Sequence, residues 1–106
     1  MAVPRECDMQ DLKKLARFIK HRPRVVTYYE CQEVPTRLDV LCDSDHAGCL
    51  ETRRSTTGIV VRFGRCLIKT SSNVQSTIAF SSGESEYYAW VKAAAAGLSL
   101  VALLQD

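Results

Sequence analysis

The chain lacks the cysteine and histidine patterns that mark disulfide-rich or zinc-binding proteins. Its five cysteines are an odd number, no two of them form a Cys-x-x-Cys pair, and only His21 and His46 could join them as ligands. A structural zinc site normally has closely spaced ligand pairs, so no such site is expected. Scattered free thiols are typical of a reducing compartment, which favours an intracellular protein of the cytoplasm or nucleus.

The sequence also has little that would direct it out of the cell or into a membrane. The first apolar run is interrupted by Arg5, Glu6 and Asp8, so no signal peptide is predicted. The Ala-rich stretch 93–104 is too short to span a bilayer, because Lys92 breaks the apolar run upstream of it. We therefore expect a soluble chain with no membrane partner.

Neither length nor net charge is extreme. The 106 residues suit one small domain, and 46% hydrophobic and 25% charged residues are close to globular averages. The net charge is only +2, but residues 38–50 carry acids and no bases, whereas residues 51–69 are mainly basic. An acidic point beside a basic rim is typical of a metal site that meets a phosphate-bearing substrate. Solvated surface charge would give the same pattern.

Hydrophobic periodicity predicts a sheet with helices, of α/β or α+β class. A helix is predicted over 8–21 and ends before Pro23. The remaining predicted elements are strands over 24–31, 38–43, 57–63 and 66–70, a short further strand over 77–80, and a helix over 83–105. Gly64 predicts a type II′ hairpin turn, and Ser81 three residues ahead of Glu84 predicts a capping box at the last helix.

The last predicted helix is apolar nearly all round, so we expect it to be packed on several sides. Glu84 and Glu86 lie in its first turns, where an acid often only complements the helix dipole. Glu86 is in line with the small residues Ala93 and Gly97, and Glu84 heads another apolar row through Val91. Periodicity alone does not tell which of the two acids faces the sheet.

Two carboxylates leave the end of the predicted strand 38–43. Asp43 and Asp45 are two residues apart, so in an extended chain both side chains point to the same face. Converging carboxylates bind Mg²⁺, which prefers oxygen ligands. An Asp-x-Asp pair alone is a weak signal, and surface acids remain an equally simple explanation.

Several separated motifs, in order, resemble the ribonuclease H domain of copia-type retrotransposon polyproteins. Residues 43–49 (Asp-Ser-Asp-His-Ala-Gly-Cys) and 52–58 (Thr-Arg-Arg-Ser-Thr-Thr-Gly) are similar to two consecutive segments of that family. The Ser-Ser pair 71–72, Gln75 and residues 81–87 (Ser-Ser-Gly-Glu-Ser-Glu-Tyr) follow in the family's order. The resemblance covers 38–106, with an aromatic of the family replaced by histidine within the first segment.

The resemblance implies an α/β, RNase H-like fold: a mixed sheet that begins with an antiparallel three-stranded meander, followed by a long buried helix. It implies hydrolysis of the RNA strand of an RNA–DNA hybrid by two-metal catalysis with Mg²⁺ or Mn²⁺. Asp43 and Glu86 are then the catalytic metal ligands, and Asp45 is a further candidate ligand. Arg53 and Arg54 would contact the hybrid backbone.

The resemblance also implies that the domain is incomplete, with later strands missing. The family has a further strand and two further acids downstream of the long helix, and the sequence contains neither. We therefore expect little or no activity from this chain alone, which leaves enzyme status open. Residues 1–37 would connect to the polymerase side of a polyprotein, and 38–106 would be a partial RNase H-like domain. The alternatives are a catalytically dead nucleic-acid-binding remnant and a retrotransposon-derived reading frame with no present function.

Overall fold

The computed structural model describes residues 5–105, which fold into a three-stranded antiparallel sheet and two helices. The elements in chain order are α1 (Glu6–His21), β1 (Leu38–Ser44), β2 (Thr56–Phe63), β3 (Cys66–Val74) and α2 (Ser82–Gln105). The class agrees with the sheet with helices expected from periodicity, and the domain division at residue 37 stays a prediction. Residues 1–4 and 106, at the outer ends of the two predicted domains, lie outside the part of the chain that the structure describes.

The three strands form a meander with the order β1-β2-β3. Asp43 pairs with Gly58, which in turn pairs with Ser72 on β3. Gly64 has φ +59°, whereas Arg65 does not have a positive φ. A type II′ turn has this combination, and Phe63 pairs with Cys66 across the two residues, so the predicted tight hairpin is confirmed. Within residues 5–105 the sheet is wholly antiparallel, so the expected mixed character is not observed there.

A stripe of small residues lets α2 lie close to β1. Ala89, Ala93 and Gly97 are buried along one face of the helix. A Cβ built on Gly97 would lie 3.0 Å from Val40 Cγ2, so the helix backbone approaches the strand as closely as its side chains allow. The core around this contact consists of Ile59, Val61 and Ala93, flanked by Leu38, Val40, Cys42 and Leu100.

The expectation that α2 is packed on several sides is wrong for the described residues. Only one face contacts the sheet, and large apolar side chains on the other faces are exposed, with Trp90 at 64%. The reason is that the sheet offers a single layer, and α1, which has no buried residue, does not cover the helix. By length and composition alone, α2 is also able to cross a membrane, so the absence of a membrane partner stays a prediction.

Two predicted strands are also wrong, and one is longer than predicted. Residues 24–31 and 77–80 have no regular strand structure. Val25 and Tyr28 are exposed, because no neighbouring strand is available to pair with them. β3 instead continues to Val74, since pairing with β2 extends through the polar residues after position 70.

Candidate functional site

The end of β1 and the start of α2 meet at Ser44, whose amide and hydroxyl each donate a hydrogen bond to the helix. The backbone N–H of Ser44 donates to Glu86 Oε1 at 3.3 Å. The next amide, that of Asp45, donates to Thr56 O on β2 at 3.1 Å. Because amides of an edge strand alternate in direction, the Ser44 N–H points away from β2. Glu86 therefore reaches the outer edge of β1 at the peptide that joins Asp43 to Ser44.

Asp43 is exposed and is the second-to-last residue of β1. Cys42 packs against the core and the Ser44 hydroxyl contacts α2, so strand alternation places the Asp43 side chain on the opposite face of the sheet. Gly58 lies beside it in the register and adds no side chain, and Asp43 lines a depression of about 490 Å³ there. The two acids thus approach one peptide from different sides.

The pKa of the Cys42 thiol depends on both Asp43 and Glu86. Burial raises the pKa of the Cys42 thiol, and the charges of Glu86 and Asp43 raise the pKa further. None of the ion pairs formed within residues 5–105 involves Asp43 or Glu86. Both acids at the end of β1 are therefore free of ion pairs within the described residues, and such carboxylates are available to a cation.

The structure separates the roles of the two helix acids that periodicity left open. Glu84 accepts hydrogen bonds from the Phe80 N–H at 2.7 Å and from the Tyr88 hydroxyl at 2.8 Å. The Phe80 bond, followed by the Tyr88 bond, lowers the pKa of Glu84. Ser81 Oγ accepts from the Glu84 N–H at 3.1 Å, so the serine half of the predicted capping box forms, while the Glu84 carboxylate bonds to the amide before Ser81 instead of that of Ser81 itself. Glu84 is thus engaged at the helix start, and Glu86 faces the strand.

Asp45 is engaged in the loop that follows β1. Its carboxylate accepts a hydrogen bond from the Thr56 N–H, and a side chain on Gly48 would overlap that carboxylate. The Ala47 N–H donates to Ser55 Oγ at 3.0 Å, and Ala47 adopts a positive φ of 53°. The Asp45 carboxylate is therefore held by the loop at Thr56, whereas Glu86 bonds to the Ser44 amide.

The two candidate nucleic-acid contacts lie in the same loop. Arg53 and Arg54 are exposed, and the loop backbone is closed by hydrogen bonds from Arg53 N–H to Cys49 O and from Cys49 N–H to Arg54 O. Arg53 has a φ of 56°, in the left-handed region. The loop therefore presents two guanidinium groups to solvent within one tight turn.

Sequence reasoning missed a buried polar cluster beneath Glu86. Gln75 and Thr57 are each 1% exposed, and Ser55 and Ser85 are fully buried. Gln75 Nε2 donates to Thr57 Oγ1 and to Ser85 O, both at 2.9 Å. The residues are far apart in sequence, so periodicity contains no signal for the cluster. Gln75 was identified only as a residue of the family pattern.

The side chains at the end of β1 are of the type that binds a divalent cation, but they are too few to complete its coordination. Carboxylate oxygens such as those of Asp43 and Glu86 are the ligands that Mg²⁺ and Mn²⁺ prefer. Nowhere between residues 5 and 105 do three or more His, Cys, Asp or Glu side chains stand close enough to hold an ion together. Two carboxylates supply part of a coordination sphere, and Mg²⁺ usually completes its own with several waters.

Comparison with known proteins relates the chain to a longer plant protein. The chain is 37% identical over 95 residues to the uncharacterized mitochondrial protein AtMg00810 of Arabidopsis thaliana. The aligned part is 90% of this chain and 39% of the plant protein, so the chain spans about two fifths of the length of that relative. No protein-family model and no solved structure matches. The comparison therefore establishes similarity to a longer plant protein, and the residues of the site must carry the functional argument.

Proposed function

We propose that this chain is part of a ribonuclease H domain of a copia-type retrotransposon polyprotein. The complete domain would hydrolyse the RNA strand of RNA–DNA hybrids. The observation that carries the proposal is the hydrogen bond from the Ser44 N–H to Glu86 Oε1, because it brings a helix acid to the strand end that bears Asp43. The resemblance of both surrounding segments to the family supports the same reading.

In this proposal, Asp43 and Glu86 hold Mg²⁺ or Mn²⁺. The ions, when bound, supply activation of the attacking water and stabilisation of the leaving oxygen. The chain's own contribution is positional: Ser44 holds one oxygen of Glu86, and the exposed Asp43 carboxylate remains open to an ion. Arg53 and Arg54 would bind backbone phosphates of the hybrid, since such duplexes are recognised by shape and backbone contacts.

The second candidate is a nucleic-acid-binding remnant without catalysis. It is favoured by the lack of a third metal-binding side chain beside Asp43 and Glu86 within the described residues. Such a remnant would retain the exposed arginines of the loop and bind the hybrid through its phosphates. Its binding would weaken steeply with salt, because phosphate contacts release counterions.

Incubation with a labelled RNA–DNA hybrid and Mg²⁺ or Mn²⁺ tests both candidates. If the chain is an enzyme, it should cleave the hybrid, however slowly on its own. The cleavage should be lost in Glu86→Gln and kept in Glu84→Gln. Cleavage that survives Glu86→Gln would contradict the assignment of Glu86 to the site. Salt-dependent binding without cleavage supports the remnant, and binding that is absent or independent of salt argues against both. The proposal places the protein inside the cell, with the remainder of the polyprotein as its partner and no membrane.

A further inference from the structure

We propose that Gln75 and Ser85 are positioning residues that fix where the Glu86 carboxylate meets the end of β1. The inference rests on the function proposed for Glu86. Buried hydrogen bonds of Gln75 and Ser85 would hold the turn of α2 immediately before Glu86 and so fix the position of the Glu86 side chain.

Gln75 ties the start of α2 to β2. Its side chain is 1% exposed, and both amide hydrogens of Nε2 are used, one on Thr57 Oγ1 and one on Ser85 O, at 2.9 Å each. Ser85 is the residue directly before Glu86. A fixed Ser85 carbonyl fixes the peptide from which the Glu86 side chain leaves the helix.

Ser85 ties the same turn to β1. The Ser44 hydroxyl donates to Ser85 Oγ at 3.0 Å, and Ser85 Oγ donates to Ser82 O at 2.8 Å. Ser44 therefore meets α2 twice, with its hydroxyl at Ser85 and with its amide at Glu86. The helix turn that carries Glu86 is held from two strands at once.

Apolar packing alone would not supply this registration. The buried face of α2 consists of Ser85, Ala89, Ala93 and Gly97, whose small side chains interlock little with the strand. Dispersion contacts of such small side chains have little directional preference, whereas hydrogen bonds have a direction. The Gln75 amide is buried and donates to β2 and to α2 at once. Its two donated bonds give the position of the turn.

The test measures the hydrogen-exchange rate of the Ser44 amide by NMR in the whole chain, together with Mn²⁺ affinity. Glu86→Ala defines the rate without the Glu86 contact. Gln75→Leu removes both donors at similar volume. Gln32→Leu is the matched control, since Gln32 bonds to Phe63 O and the Arg65 N–H at the hairpin.

We expect the Ser44 amide to exchange about tenfold faster in Gln75→Leu than in the parent, close to Glu86→Ala. The amides of Ile59 and Val61 should keep their rates. Mn²⁺ affinity should fall about 10–100-fold, the usual effect of losing a residue that orients a metal ligand. Gln32→Leu should change neither quantity. In a chain that cleaves hybrid, kcat should fall while KM stays constant.

A purely structural role predicts a different result and would overturn the inference. All core amides would then exchange faster together, or the Ser44 rate would stay at the parent value while thermal stability fell. Should Gln75→Leu fail to fold, Thr57→Val removes one acceptor of the Gln75 amide, and Thr57→Ser must restore the Ser44 rate. A parent chain that binds no Mn²⁺ contradicts the proposed function alone, because the Ser44 exchange rate still decides the positioning role.

Discussion

The Glu86 carboxylate accepts a hydrogen bond from the Ser44 amide at 3.3 Å, across 42 positions of sequence. Glu84, two residues earlier, instead bonds to the Phe80 N–H and the Tyr88 hydroxyl of its own helix start. We therefore expect Glu86→Gln to weaken Mn²⁺ binding by more than about 100-fold, since loss of a ligand exceeds the effect of losing its orienting partner. Isothermal titration, or Mn²⁺ broadening of the amides around Ser44, measures this.

The matched control is Glu84→Gln, which removes the same charge two positions away. It should leave Mn²⁺ affinity within about twofold, because exposed charges at a distance act weakly through water. Equal losses in the two variants would mean that the cation responds to the total charge of the helix start, and the assignment of Glu86 as a ligand would be wrong.

Local signals in the sequence were enough to predict most of the fold. The alternation of apolar residues, the Gly64 turn and the Ser81 cap act over a few residues. The first two are confirmed, and the serine half of the capping box forms. The segment 24–31 was predicted as a strand from its β-branched and aromatic residues, but such propensity needs a partner strand. β3 shows the converse, since polar residues 71–74 extend the strand where β2 offers hydrogen bonds.

The candidate site depended on contacts that no local pattern contains. Glu84 and Glu86 are each in line with apolar or small residues on a helix that is apolar nearly all round. Which of the two acids faces the sheet therefore follows only from the packing of α2 on β1. The role of Gln75 is equally non-local, because its partners Thr57 and Ser85 lie 18 and 10 residues away. The resemblance in sequence singled out the segments that contain these residues, and tertiary structure assigned their contacts.

The close approach of α2 to β1 predicts a strong effect at Gly97. A Cβ added to Gly97 would lie only 3.0 Å from Val40 Cγ2. Gly97→Leu therefore has no space for its side chain and must push the helix off the strand. We expect a loss of about 1–3 kcal/mol in the free energy of unfolding, measured by urea denaturation. Ala94→Leu, on an exposed position of the same helix, should stay within about 0.5 kcal/mol. Similar losses at both positions would contradict the packing.

The loop after β1 predicts coupling between Asp45 and Gly48. Gly48→Ala would displace the Asp45 carboxylate from the Thr56 N–H, and Asp45→Ala removes the same bond directly. Each single change should cost about 1 kcal/mol, and the double variant should cost no more than either one. Gly83→Ala is the control, since the nearest side-chain atom to a Cβ there is 4.0 Å away. Additive losses would show that the two residues act independently.

Thiol reactivity offers a readout of charge at the site. Burial, then the charges of Glu86 and Asp43, raise the pKa of Cys42, whereas hydrogen bonds from Thr52 lower the pKa of Cys49. Iodoacetamide should therefore modify Cys49 faster than Cys42 at pH 8, as resolved by peptide mass spectrometry. Glu86→Gln should lower the pKa of Cys42 and speed its modification while leaving Cys49 unchanged. An unchanged Cys42 rate would mean that Glu86 does not act on the strand end.

The start of α2 predicts a dependence of stability on pH. Hydrogen bonds from the Phe80 N–H and the Tyr88 hydroxyl lower the pKa of Glu84 in the folded state, so the unfolded chain takes up this proton first on acidification. The stabilisation is complete above the ordinary carboxyl pKa and is lost as pH falls through the lowered value. Glu84→Gln should flatten the acid limb of a Tm–pH curve without abolishing it, since the Arg5 N–H also lowers the pKa of Asp8. Tyr88→Phe should reproduce part of the effect, and an acid limb unchanged in both variants would contradict these bonds.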